Sequence, residues 1–214
     1  VGVEYKYFDS GKLETVVPLS FATAVFNPAT LNCLNCPDQG TGVQQRDGRS
    51  IFQHSITVNY AVHWRATAGS TNGVVFPPVM IAVVLDTQCN QTALTAADNI
   101  FTNPSGDPGT LVVPFRDMEY TNRFKVLCRK LINPSAGSGQ TDPGSATNYS
   151  RHGYYKAGFL YCNLKGLKTM FNANAKAVTD ISDNALHMIA ICPDQDVNQS
   201  VHLSYQARLM FTSG

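Results

Sequence analysis

Cys33-Leu34-Asn35-Cys36 has the cysteine spacing of half a zinc site or of a redox pair. A structural zinc needs four ligands, and the chain offers neither a second Cys-x-x-Cys nor a His-x-x-x-His to complete the set. Of the histidines, His54, His63, His187 and His202 fall in segments that read as strands and His152 follows Arg151 in a loop, positions that suit hydrogen-bonded sheet or surface residues. Acyl transfer needs a nucleophile on a strained turn beside a base, and no Gly-x-Ser-x-Gly elbow occurs. No glycine-rich phosphate loop leads from a strand into a helix, no EF-hand loop is present, and the Asp180-x-x-Asp183 spacing is common in turns. These residues predict no enzyme, no metal and no cofactor.

Cations that could converge on phosphate are better represented. Nine of the 16 Lys and Arg residues lie between Tyr120 and Lys176, where Asp142 is the one acid among 15 in the chain. The net charge of +1 therefore hides a basic stretch and an acidic remainder. A protein that shows one face to a polyanion and another to solvent needs such a split, whereas lysines scattered on strand edges to discourage edge pairing would give it by chance. Arg123, Lys125 and Arg129 share strand parity and so are expected on one side of a sheet. Lys130 follows directly. Lys165 and Lys168 differ in parity, which a bulge at Gly166 would reconcile. The opening Glu4-Tyr5-Lys6-Tyr7-Phe8 could stack unpaired bases on Tyr5 beside the Lys6 ammonium, or could be an edge strand lying against the sheet.

The elements that must carry these side chains are strands. At 214 residues the chain can bury a large core in one domain. From Phe52 the even positions (Phe52, His54, Ile56, Val58, Tyr60, Val62, Trp64) are largely apolar and the odd ones polar, predicting a long strand with one buried face. Val79–Leu85 is almost continuously apolar, as a central strand would be. Further strands are expected over Arg123–Cys128, over Phe159–Phe171 with an interruption at Gly166, over Leu186–Cys192 and from Val201 to Phe211. Thr92–Phe101 is the stretch with a cap and helix-forming alanines, predicting one short helix. Asn103–Gly109 and Asn133–Ser150 read as long surface loops, the latter a candidate for the outermost surface. Cys128, Cys162 and Cys192 sit in apolar patterns where free thiols pack as small hydrophobes, so a reduced chain is expected. No apolar run is long enough for a membrane span. Only 14% of residues are charged, a sparse surface of the kind neighbouring subunits cover.

Gly40-Thr-Gly-Val-Gln-Gln-Arg-Asp-Gly-Arg-Ser-Ile51, running into the long alternating strand, resembles the capsid proteins of small circular single-stranded DNA viruses of the circovirus-like group. In that family a Gly, then Arg-x-Gly and a basic residue lead into the first jelly-roll strand. An early Glu4-x-Lys6, the apolar strand ending at Leu85-Asp86, Leu94 with Ile100-Phe101, and Asn122–Leu127 followed by Arg129-Lys130 are similar in order, the last resembling that family's fourth strand. Asp47 and Cys128 depart from the pattern.

The resemblance implies an all-β, single eight-stranded antiparallel jelly roll spanning residues 1–214, with a basic N-terminal arm upstream of residue 1. About sixty copies would form an icosahedral T=1 shell, assembled in the host nucleus, around a single-stranded DNA genome. Arg123, Lys125, Arg129, Lys130, Lys165 and Lys168 would neutralise phosphates. Arg46, Gly48 and Arg49 would either order the turn at the strand entry or join a subunit contact. The partners implied are other copies of the chain, the DNA and a host-cell attachment receptor whose chemistry no motif identifies. A coat protein of a small RNA virus or satellite would share fold and charge, and a secreted jelly-roll lectin would share the fold without the basic patch.

Overall fold

Period-two hydrophobicity becomes strand alternation wherever one face can be buried. The computed structural model describes residues 4–17, 33–66, 77–102 without 95 and 98, 116–134, 154–192 without 175, and 199–214. Eight strands follow in chain order: β1 (Lys6–Val16), β2 (Ser50–Ala66), β3 (Val79–Asp86), β4 (Phe124–Ile132), β5 (Tyr154–Phe171), β6 (Ile181–Asp183), β7 (Ala185–Ile191) and β8 (Gln199–Ser213). They pair antiparallel in two sheets, ordered β1-β8-β2-β5-β6 and β4-β3-β7. Cys33 bridges His187, and Leu34 N donates to Leu186 O at 2.8 Å, so residues 33–34 line the free margin of β7. The chain crosses between sheets after β2, β4, β6 and β7, and its first and last strands lie side by side. This is the winding of an antiparallel jelly roll.

The main core lies between the sheets. Ile56, Val58, Tyr60, Val62 and Trp64 of β2 meet Val79, Ile81, Val83 and Leu85 of β3 there. Phe52 and His54 do not share this face, contrary to the simple alternation. His54 is an extra residue against β8, where Gln53 pairs with Phe211 and Ser55 with Met210, and a one-residue bulge inverts every side chain beyond it. Gln53 and Ile51 are buried instead, while Phe52 turns outward. The strand expected to be first in the roll is the second, because β1 precedes it as the edge strand beside β8.

β3 and β7 are buried on both faces. Their far side, with Met80, Ala82, Val84, Ile189 and Ile191, is capped by Leu94, Ala97, Ile100 and Phe101. That cap is not the helix expected over Thr92–Phe101. Its described residues form turns, with Ile100 N and Phe101 N both on Ala97 O, and Phe101 bridges Arg116. The apolar spacing that mimics a helix face serves to cover a sheet, where packing outweighs alanine's helix propensity. Among the described residues the helical turn is a 3-10 turn at Val178–Asp180.

Expectation and structure also part over the cysteines. Cys33 pairs with Cys36 and Cys128 with Cys162, their Cα atoms 6.4 and 6.3 Å apart, while Cys89 and Cys192 are free and buried. Cys128 and Cys162 are apolar-face residues of different strands, and it is the facing of β4 and β5 that brings them together. Asn35 pins the two sheets nearby. Its Oδ1 accepts from Leu186 N at 2.9 Å, and its Nδ2 donates to Asn184 O at 2.9 Å and to Thr169 Oγ1 of β5 at 3.3 Å.

Candidate nucleic-acid interface

β4 and β5 contain no Asp or Glu and meet along one side of the sandwich. The Cys128–Cys162 pair joins them, Lys156 Nζ of β5 donates to Asn133 O just past β4 at 3.3 Å, and Lys130 Nζ lies 5.6 Å from the ring centre of Tyr60. Lys125, Arg129 and Lys130 on β4 and Lys156, Lys165 and Lys168 on β5 are exposed. Both strands are margins of their sheets, with β5 bordered beyond Met170 by the three-residue β6.

Within β4 the cations do not share one face, because Val83 pairs with Cys128 and Val84 with Val126, leaving Leu127 as a bulge. Residues opposite each other point the same way. Lys125, opposite Leu85, and Lys130, opposite Ile81, therefore lean toward the inter-sheet rim, while Arg129, opposite Ala82, lies on the other side. Arg123, Lys125 and Arg129 lose the common side that parity predicted. In β5 the bulge works in the opposite sense. Ser55 pairs with Asn163 and Gln53 with Leu167, so Leu164, Lys165 and Gly166 bulge opposite His54. Lys165 and Gly166 take φ values of 53° and 76°, the left-handed region that glycine enters freely. Beyond the bulge Lys168 stands outward beside Phe52, its Nζ 5.7 Å from that ring, and Lys165 is exposed within the bulge itself.

Other predicted residues are engaged elsewhere. Arg123 makes a two-pronged pair with buried Asp86, Nε to Oδ1 and Nη2 to Oδ2 both at 3.0 Å, which holds the guanidinium more firmly protonated than usual. His187, in the same stretch of the outer face, is wholly buried, and burial pushes its pKa down to about 4; the Asp86 charge opposes that shift and Arg123 assists it. Lys6 is 3% exposed and ion-paired to Asp47 at 2.6 Å, so its ammonium is not open to phosphate. Tyr5 is exposed but packs edge-on to His54. β1 is three strands removed from β5, so Tyr5 and Lys6 stand on the opposite margin from the lysines of β5. Lys6 and its neighbours form the edge strand that was the alternative to a stacking site.

Arg46 is fully buried, stacked 4.2 Å from the centre of the Phe171 ring and donating to the carbonyls of Gly48 and Ala173. It ties the turn before β2 to the end of β5, which leaves its guanidinium no outward surface for a neighbouring subunit. Arg49 is exposed, and its carbonyl accepts from Phe171 N at 2.8 Å. A Cβ at Gly48 would stand 2.8 Å from Gly214 O, so a side chain there would crowd the final residue. Arg151 and most of the Asn133–Ser150 loop fall outside the described residues.

Sequence reasoning passed over a row of rings. Tyr155, Phe159 and Tyr161 lie on the outer face of the larger sheet, each at least half exposed. Their odd-numbered spacing against Leu160, Cys162 and Leu164 was the available signal, since apolar residues on both parities of an edge strand leave one set uncovered. Among the described residues no cluster of three or more His, Cys, Asp or Glu could hold a metal, and no helix is long and apolar enough to cross a membrane.

No curated protein matches the chain. Solved structures similar to it include the VP2 subviral particle of infectious bursal disease virus, at 8% identity and TM-score 0.24 over 99% of this chain and 31% of that one. The Gt strain of the same virus is similar at 10% identity and TM-score 0.24, over 100% and 30% of the respective chains. This chain spans less than a third of both. A 60-mer BFDV capsid protein is similar at 8% identity and TM-score 0.27, over 100% and 95%. Over residues 19–214 the chain matches the geminivirus coat protein/nuclear export factor BR1 family and so belongs to it, a family of structural rather than enzymatic proteins.

Proposed function

We propose that the chain is a self-assembling shell subunit that packages single-stranded DNA, its cations acting by phosphate neutralisation. The observation that carries this is the run of six exposed cations on β4 and β5 with no acid in either strand. Lys125, Arg129, Lys130, Lys165 and Lys168 keep the role first assigned to them, and Lys156 joins them. Arg123, paired to Asp86, orders the start of β4. The circovirus-like motif order is the basis for one domain over residues 1–214, for a T=1 shell of about sixty copies and for assembly in the host nucleus.

Contact through phosphates is independent of sequence and sensitive to salt. With about five phosphates neutralised, raising monovalent salt from roughly 50 to 200 mM should weaken binding of a single strand about 10²-fold. Lys165→Ala with Lys168→Ala should flatten that dependence by about 1.4 in the log–log slope. Anisotropy titrations with labelled oligonucleotides measure both, and a salt-independent affinity would refute the assignment. Electron microscopy of the purified protein tests the shell. Digestion of extracted particle nucleic acid by RNase rather than DNase would favour the RNA-virus alternative.

A further inference from the structure

β5 presents side chains that phosphate binding leaves unused. Tyr155, Phe159 and Tyr161 are 53%, 63% and 57% exposed on the outer face of the larger sheet. Phe159 has no polar group to gain from water, and rings uncovered side by side mark a binding surface. Tyr155 packs against the ring of its row neighbour His63, 4.8 Å between centroids, but across the sheet the neighbours of the other two rings are polar: Asn59 and Gln206 beside Phe159, Thr57 and Arg208 beside Tyr161. None of these is bulky and apolar enough to cover Phe159 or Tyr161, and Arg208 is drawn away to Asp9, with both of its bonds at 2.7 Å. β6 pairs with Met170 and Phe171 alone, so from Tyr155 to Lys165 the far margin of β5 has no strand neighbour among the described residues.

We propose that this face stacks unpaired nucleobases on Phe159 and Tyr161, with Tyr155 at its end, while Lys165 and Lys168 hold the adjoining phosphates. The inference rests on the phosphate-binding reading and adds selectivity for single strands to it. Phe159 and Tyr161 are two residues apart on one face, which sets their Cα atoms about 7 Å apart. Bases in a duplex are stacked at about 3.4 Å along each strand, so two neighbouring bases can each meet a ring only if they have separated from one another. A single strand can do so, and a paired one cannot. Ring stacking also tolerates any base, in keeping with a protein that must cover a whole genome. The same face pressed on its two-fold mate would oppose the lysines of β5 to one another, a like-charge contact that argues against a second copy as the occupant.

The test uses unassembled subunits and three probes of equal length: oligo(dT), an abasic oligomer with the same phosphates, and a duplex. Wild-type protein should bind oligo(dT) about tenfold or more tighter than the abasic strand, from the stacking of one or two bases. Phe159→Leu and Tyr161→Leu, apolar but not planar, should erase that preference without changing the salt slope, and Phe159→Trp should keep it. Equal binding of dT and abasic strands with a steep salt slope would overturn stacking and leave phosphate binding standing. A base preference with no salt dependence would do the reverse. If the leucine variants keep the preference but change how the protein sediments without DNA, the face is a subunit contact and the proposal fails.

Discussion

Lys6 and Lys168 are the same residue type, yet one is buried against Asp47 and the other stands in solvent beside Phe52. The sequence places Asp47 far from Lys6 and Asp86 far from Arg123, so counting charges overstates the cations available to phosphate. Replacing Arg123 tests its different role. Arg123→Ala should leave the Asp86 carboxylate buried with only the Gln88 amide on it, costing about 3 kcal/mol in urea denaturation with little effect on the salt slope of DNA binding. His187 makes stability depend on pH. Its folded-state pKa of about 4 lies below the ordinary 6.5, so as pH falls the unfolded chain takes up the proton first. The associated stability is fully present above about pH 6.5 and is lost as pH drops toward 4, by about 3 kcal/mol. Urea midpoints between pH 7 and 4 should fall less steeply in His187→Leu than in wild type. Carboxylates such as Asp9 and Asp47, held lower by Arg208 and Lys6, act in both proteins and cancel in the difference.

Bulges decide which side chains an element shows, and alternation alone cannot locate them. The positions of the strands were legible because each apolar set had a core to enter. The facing of Phe52, His54 and the β4 cations was not, since one extra residue at His54 or Leu127 reverses parity without changing composition. Gly166 was legible because glycine in a strand interior marks such a place. Gly166→Ala would force a side chain into a φ of 76°, and should lower stability by about 1 kcal/mol, read as a lower melting temperature, with Gly166→Asn less harmful. The open side of that residue, with nothing near a built Cβ, assigns the cost to backbone strain rather than to a clash. Thr92–Phe101 misled for a related reason: an apolar spacing suited to a helix equally suits a turn-rich lid, and the apolar far face of β3 and β7, which needs a cover, decides between them.

At the scale of the whole molecule, the charge split visible in the sequence survives folding as the paired margins of β4 and β5. The aromatic row beside it needed the sheet order to be seen, because exposure depends on which residues of β2 and β8 flank it on the outer face. The order of the larger sheet has one more consequence, for the timing of folding. β8 lies between β1 and β2, pairing Lys6 with Phe211 and Ile56 with Leu209, so the middle of that sheet is supplied by residues 199–213. Until β8 has been synthesised, β1 and β2 have no neighbour in common, and the sheet closes only after β8 has left the ribosome. The native sheet is thus withheld until residues 199–213 have been made, and a chain cut before Gln199 should be wholly unfolded by circular dichroism and protease sensitivity rather than trimmed at an edge.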